Sequence, residues 1–194
     1  MTRVCLVGDD DVNLRYELLS RETARDALAT YDLREPFDNA VGLETVSLGA
    51  AVALLNDLDW YLVRFAEEAM VLEPSVSENE WLSRDLATAV RDDAVAADEA
   101  ARYLKVYGLE PVDDGVEADD AEGDTPSDDT GENDARDGPD RGPNRGESGR
   151  DAAGPKRLVE PMYGTRTGDG IPEYDLRDVS ETVVERVTES EFGA

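Results

Sequence analysis

Between Pro111 and Gly154 the chain carries no Leu, Ile, Met, Phe, Tyr or Trp. The same stretch holds half of all the glycines, together with Pro126, Pro139 and Pro143, and 15 acidic residues against four arginines. Such a segment buries too little apolar surface to offset the entropy lost on ordering, so residues 111–154 are expected to form a disordered acidic linker. Gly138–Gly146 reads as flexible linker, and a docking arm for a basic partner is the functional alternative. The linker splits the apolar residues into two groups, and this restricts the folds available. Residues 1–110 carry 10 basic and 23 acidic groups and are long enough for one modest core. Residues 155–194 are too short to fold alone, yet they contain Leu158, Val159, Met162, Tyr163, Ile171, Tyr174, Leu176, Val183, Val184 and Val187. The economical arrangement is one domain in which 155–194 packs back on 1–110 and 111–154 is an insertion.

Charge bounds the setting. There are 47 Asp plus Glu, two lysines (Lys105 and Lys156), 17 arginines and no histidine, for a formal charge of −28. In dilute buffer such a chain repels itself. In multimolar salt the Debye length shrinks to roughly 3 Å and the repulsion is screened. An acidic, lysine-poor surface also keeps a protein soluble where salt strengthens apolar association. The composition therefore reads as that of a cytoplasmic protein from a salt-accumulating microbe. No stretch approaches the roughly 18 apolar residues that span a bilayer, and the N-terminus is too short in apolar residues for a secretory signal. Neither a membrane nor nucleic acid is an expected partner, because basic residues are outnumbered in every region.

The missing histidine removes Ser-His-Asp and Cys-His nucleophiles and any imidazole zinc site. The single cysteine, Cys5, forms no intrachain disulfide and lies in the apolar run Val4-Cys5-Leu6-Val7. It reads as a small buried hydrophobe, since Asp9, Asp10 and Asp11 would oppose a reactive thiolate.

Periodicity gives a coarse fold. Arg3–Val7 reads as a buried strand. Val12, Tyr16, Leu19, Thr23, Ala27 and Tyr31 predict a helical stripe; alternatively Ser20 caps a shorter helix and Leu14–Leu19 is extended. Val41–Ser47 reads as a strand, and Leu48, Val52 and Leu55 as a short helix. Trp60–Ala66 and Ala69–Leu72 read as two strands near a bend at Glu67 and Glu68. Ser77-Glu78-Asn79-Glu80 matches a capping box and predicts a helix from Ser77 through Val90, with Leu82, Leu86, Ala89 and Val90 inward. Asp98 is a candidate cap for a last short helix. Tyr103–Tyr107, Leu158–Tyr163 and Thr182–Thr188 favour strand. The sum is an α/β or α+β domain with a single mixed sheet and helices on at least one face. Tyr31-Asp32-Leu33-Arg34-Glu35 is echoed by Tyr174-Asp175-Leu176-Arg177-Asp178, either by chance or as a structural repeat.

The candidate for chemistry is Val7-Gly8-Asp9-Asp10-Asp11, straight after the first strand. Ligands gather at the carboxyl ends of strands in open α/β sheets, and Asp9 and Asp10 are candidate Mg²⁺ ligands. This opening resembles phosphoacceptor receiver domains, whose first strand also ends in an acidic pair. The resemblance implies a further aspartate, a Ser/Thr and a lysine on later strands. Asp57 and Asp59 lie at a suitable distance along the chain but precede the apolar run Trp60–Phe65 instead of following it, and Lys105 is placed between Leu104 and Val106. Trp60, Tyr61, Phe65 and Trp81 read as core aromatics; if exposed they would mark a partner surface. Glu160–Gly170 reads as a turn or as an anion-binding loop around Arg166.

Several segments together resemble a small haloarchaeal protein family of unknown function: Arg3–Gly8, Tyr16–Thr23, Tyr31–Phe37, Glu80–Arg84 and Val184–Phe192. That resemblance implies no activity and agrees with a salt-adapted single domain carrying an insertion. With no nucleophile motif, phosphate loop or metal-ligand spacing, the leading expectation is a non-enzymatic binding or regulatory module without a cofactor, partnered by another protein. The alternative is a Mg²⁺-dependent or receiver-like domain using Asp9, Asp10, Asp57 or Asp59, and Lys105. A purely structural subunit is a third class, and oligomeric state stays open.

The charge argument has a direct test. Melting temperature is expected to rise with KCl, and below about 0.5 M KCl the protein should loosen as screening is lost. A melting temperature independent of KCl refutes the salt-adapted reading.

Overall fold

A computed structural model describes residues 1–96, 99–112, 155–168 and 170–193. The expectations for 113–154 and for Asp98 lie outside these residues. Strand β1 (Thr2–Gly8) is followed by helices α1 (Leu14–Leu19) and α2 (Glu22–Leu28), then strand β2 (Ala40–Thr45). Helices α3 (Leu48–Asp57) and α4 (Asp59–Phe65) lead to strands β3 (Ala66–Leu72) and β4 (Trp81–Ser83) and helix α5 (Arg84–Arg91). A 3₁₀ turn at Glu99–Ala101 precedes β5 (Tyr103–Pro111), β6 (Lys156–Thr165), β7 (Glu181–Val187) and helix α6 (Glu189–Phe192).

The seven strands form one mixed sheet in the order β2-β1-β3-β4-β7-β5-β6. Every pair is antiparallel except β4 with β7. The sheet therefore holds two three-stranded antiparallel units, each with its first strand in the middle, joined through β4. Residues 155–194 supply both β6, at an edge, and β7, inside. The Tyr-Asp-Leu-Arg echo falls before the second strand of one unit and before the third strand of the other, so it does not mark equivalent positions.

Alternation along the strands separates two faces. One carries Val4, Leu6, Val41, Leu43, Val71 and Leu82, which pack on Leu55, Leu58 and Leu86 of the helical layer. The other, left free by α1–α5 and approached only by the short α6 at its edge, carries Cys5, Val7, Ala40, Met70, Tyr107 and Val183, with Phe37, Trp81, Leu109 and Leu158 against them. This second face is closed in on itself. Near its far edges, the Asp38 N–H donates to the Lys156 carbonyl at 2.7 Å, and α6 sets Phe192 5.0 Å from the Tyr103 ring. On the opposite face, the connection between β6 and β7 lays Tyr174 against Leu104, Val106 and Val184, so close over Gly108 that a Cβ there would meet its ring at 2.9 Å. Arg177 clamps this connection to Glu160 at 2.8 Å and Glu110 at 3.1 Å.

Three local expectations are corrected. Trp60–Phe65 is helix α4, not strand. Leu58, Tyr61, Leu62 and Phe65 recur at helical spacing against the main core, and this periodicity overrides aromatic strand preference. The capping-box helix from Ser77 does not form. Ser77 Oγ does accept from Glu80 N–H at 3.1 Å, but the Glu80 carboxylate is drawn to two arginines, and Trp81–Ser83 joins the sheet. The helix starts only at Arg84, capped by Ser83 Oγ on Leu86 N–H at 3.2 Å. The stripe from Val12 to Tyr31 breaks at Ser20 and Arg21 into two helices. Their buried residues are Leu14, Leu18, Ala24 and Leu28, so Tyr16 points outward.

Ser83 holds two ends together, because its hydroxyl also donates to Glu191 Oε2 at 2.8 Å. That carboxylate belongs to the capping box of α6 with Thr188. Ser83→Ala removes one helix cap and the tie to α6, and should lower unfolding free energy by about 1–2 kcal/mol. Denaturant titration in multimolar KCl measures it, and an unchanged midpoint would contradict the double role.

Candidate functional site

The polar groups on the helix-free face converge across three strands. In the register, Glu185 of β7 lies between Trp81 of β4 and Lys105 of β5. Glu68 of β3 lies opposite Val7 of β1. Lys105 Nζ donates to Glu68 Oε2, and Tyr107 Oη donates to the same oxygen at 2.6 Å. The ammonium also sits 5.0 Å from the Tyr107 ring and 5.7 Å from that of Tyr163. Glu185 is wholly buried, and neither of its carboxyl oxygens has a hydrogen-bond partner.

Burial dominates the proton affinities here. It pushes Glu185 well above the carboxylate range; the Glu68 charge adds to the rise and Lys105 opposes it. Burial also raises the Tyr107 hydroxyl, with Glu185 and Glu68 reinforcing it. The Cys5 thiol is pushed up to about 12 by burial and then by Glu185, so it stays a thiol at neutral pH. For Lys105, burial lowers the affinity, but the adjacent Glu68 carboxylate outweighs it and the ammonium is retained. One cation thus balances one carboxylate, and burial beside Glu68 disfavours a charge on the second carboxyl, Glu185.

A second cluster ties β4 to β6 and β7. Glu80 accepts from Arg166 Nη2 at 2.6 Å and Arg186 Nε at 2.5 Å. Burial alone would raise Glu80, but the two guanidinium bonds prevail and hold it below the usual range. Arg166 Nε also donates to the Ala101 carbonyl at 3.0 Å. Its donors serve these contacts, in place of the anion loop considered from sequence.

The acidic loop is set by Gly8 and Asn39. A Cβ at Gly8 would meet Asn39 Nδ2 at 2.6 Å. Asn39 has a positive φ of 50°; its amide donates to the Asp9 and Val12 carbonyls and its Oδ1 accepts from Leu14 N–H. Asp9, Asp10, Asp11, Val12 and Glu67 line a cavity of about 390 Å³. Glu67 is raised by burial and then by the charge of Asp10. Among the described residues, no three Cys, Asp or Glu side chains gather closely enough to hold a metal ion. Of the other residues in the phosphoacceptor alternative, Asp57 ends α3, Asp59 pairs with Arg84 at 2.7 Å, and Lys105 is engaged by Glu68. Strand β1 has antiparallel neighbours on both sides, unlike strands of the open parallel sheets where ligands gather at a switch point.

The aromatic set divides. Trp81 packs on the helix-free face, and Tyr61 and Phe65 on the main core, but Trp60 is 53% exposed. Arg64 stacks 5.0 Å from the Trp60 ring, and Arg21 lies 5.0 Å from Phe65 and 5.7 Å from Trp60. Glu68, Tyr107 and Glu185 went unrecognised in the sequence. For Glu185 a signal exists: Val183, Glu185 and Val187 share one face of a β-branched strand, so a carboxyl sits among buried valines.

With this geometry in place, the comparisons assign the chain to a family. It belongs to a family of unknown function, DUF5804, whose model matches residues 2–109. The match spans β1 to most of β5 and stops before residues 155–194. No curated protein and no solved structure matches the chain.

Because Glu185 is raised on folding, its contribution is full below the ordinary carboxyl value of about 4.3 and is lost as pH rises through the folded value. Glu185→Gln keeps the shape without the ionisable proton. The variant should gain stability over wild type as pH rises, by up to about 1.4 kcal/mol per unit of pH in that window. Melting curves of both proteins across pH measure the difference, and a pH-independent gap would show that Glu185 is not the neutral acid.

Proposed function

We propose that this chain is a non-enzymatic binding or regulatory module of a salt-rich cytoplasm. The supporting observation is where the reactive groups lie. Cys5, Tyr107 and Glu185 are sealed inside the helix-free face, and the Lys105 ammonium is spent on Glu68. None of them lines the cavity of the acidic loop. Catalytic acids and nucleophiles need access to substrate; these groups instead balance one another in the interior. The exposed features are contact features: a stacked aromatic–arginine cluster and a surface rich in carboxylates. The excess of acidic over basic residues supports the salt-adapted setting. Among the described residues, no helix is long and apolar enough to cross a membrane.

The competing reading uses Asp9 and Asp10 as a Mg²⁺ site. An NMR titration in multimolar KCl, adding trace Mn²⁺ and then Mg²⁺, separates the two. Broadening spread thinly over the acidic surface is the expected result. Selective broadening at Gly8–Asp11 that excess Mg²⁺ reverses would overturn the non-enzymatic reading and favour the metal-dependent one.

A further inference from the structure

We infer that the outer face formed by α1 and α4 is a docking surface for a protein segment that presents a carboxylate beside an apolar side chain. This inference rests on the binding-module reading and names its partner. Trp60, Val63 and Arg64 follow helical spacing, so they share one face of α4. Val63 is 77% exposed and Trp60 about half exposed, and α1 packs beside α4, with Glu17 of α1 holding Arg21 where it approaches the Trp60 ring. Large apolar side chains of this exposure, placed together, are characteristic of contact surfaces, and Trp, Tyr and Arg dominate binding hot spots. Tyr61 lies edge-on to Trp60 at 5.1 Å, and Arg21 and Arg64 approach its ring. The tryptophan is therefore braced in place, which limits the side-chain entropy lost on binding.

Charge selects the partner. In a chain of 47 carboxylates, Arg64 has no ion pair or hydrogen bond among the described residues. Its guanidinium is held over Trp60 with its donors available to an incoming carboxylate. In concentrated salt the overall negative charge is felt only within a few ångströms, so a direct ion pair forms despite it. A nucleic-acid strand fits less well, because phosphates need several cations and Arg21 already holds Glu17 at 2.8 Å. A second copy would have to bring a carboxylate of its own onto Arg64, and the variants below distinguish that arrangement from a peptide partner.

Selection of short random peptides on the intact protein in multimolar KCl tests this. Enrichment of Asp or Glu next to Leu, Phe or Trp is expected. Binding of the selected peptides should weaken about tenfold or more in Arg64→Glu and in Val63→Asp. Both sites are exposed, and unchanged melting curves would show that the variants fold. Peptides that bind equally well to both variants overturn this surface and leave the binding-module reading standing. Enrichment of basic peptides, or no enrichment, overturns the assigned partner. Tighter binding of a single-stranded oligonucleotide, or concentration-dependent dimerisation lost in Arg64→Glu, would replace it with nucleic acid or a second copy. Selective Mn²⁺ broadening at Gly8–Asp11 is the separate result that removes the parent reading.

Discussion

Among the described residues, strand β7 is the only ladder between two half-sheets. On one side stand β2, β1, β3 and β4, and on the other β5 and β6. Without β7, the edges of β4 and β5 would both carry unpaired backbone groups in the middle of the molecule. Its residues serve both faces. Val184 joins Leu104 and Val106 on one side, and Val183 and Glu185 enter the closed side. Arg186 reaches Glu80 ahead of β4, and Thr188 starts the box that binds Glu191 and, through it, Ser83. The helical layer can pack over a continuous surface only because this strand fills the gap.

The buried charges on the closed face fit this arrangement. A lone carboxyl in an apolar interior is costly, but here it is confined to one register. Sliding β7 by one residue would turn Glu185 toward the helical layer and carry Arg186 inside, losing the Glu80 bonds at the same time. Lys105 and Glu68 behave similarly across β5 and β3: each is tolerable only opposite the other. The polar interior therefore discriminates among strand alignments that hydrophobic patterning alone would leave closer in energy.

Much of this architecture was legible from residue order. The runs at Arg3–Val7, Val41–Ser47, Ala69–Leu72, Tyr103–Tyr107, Leu158–Tyr163 and Thr182–Thr188 carry β-branched or apolar residues whose pattern decides their state, and strands form in each, with β2 ending at Thr45 and β7 at Val187. The single mixed sheet followed from them. Trp60–Phe65 was misread because aromatic residues favour strands on average, while the period of Leu58, Tyr61, Leu62 and Phe65 spoke for a helix. Ser77 illustrates a different limit: its local cap signal is real, but Glu80 is claimed by Arg166 and Arg186, residues remote in sequence. The candidate site suffered most from this non-locality. Asp9 and Asp10 are conspicuous in sequence as a run, whereas Glu68, Lys105 and Glu185 come from three strands and mean little until the register joins them.

The position of β7 also governs how the molecule comes into being on the ribosome. Strands β1 to β4 and their helices can assemble as soon as they emerge, but β4 then presents an open edge for the whole time needed to make the next hundred or so residues. A nascent chain in that condition is a template for mispairing with its neighbours. The parallel partner that finally covers β4 must return from far along the chain, a slow event with a high loop-closure cost. In concentrated salt that edge is guarded less by repulsion between half-made copies, which is screened, than by the solubility a carboxylate-rich surface gives them, so the abundance of carboxylates protects the molecule before its sheet is complete as well as after.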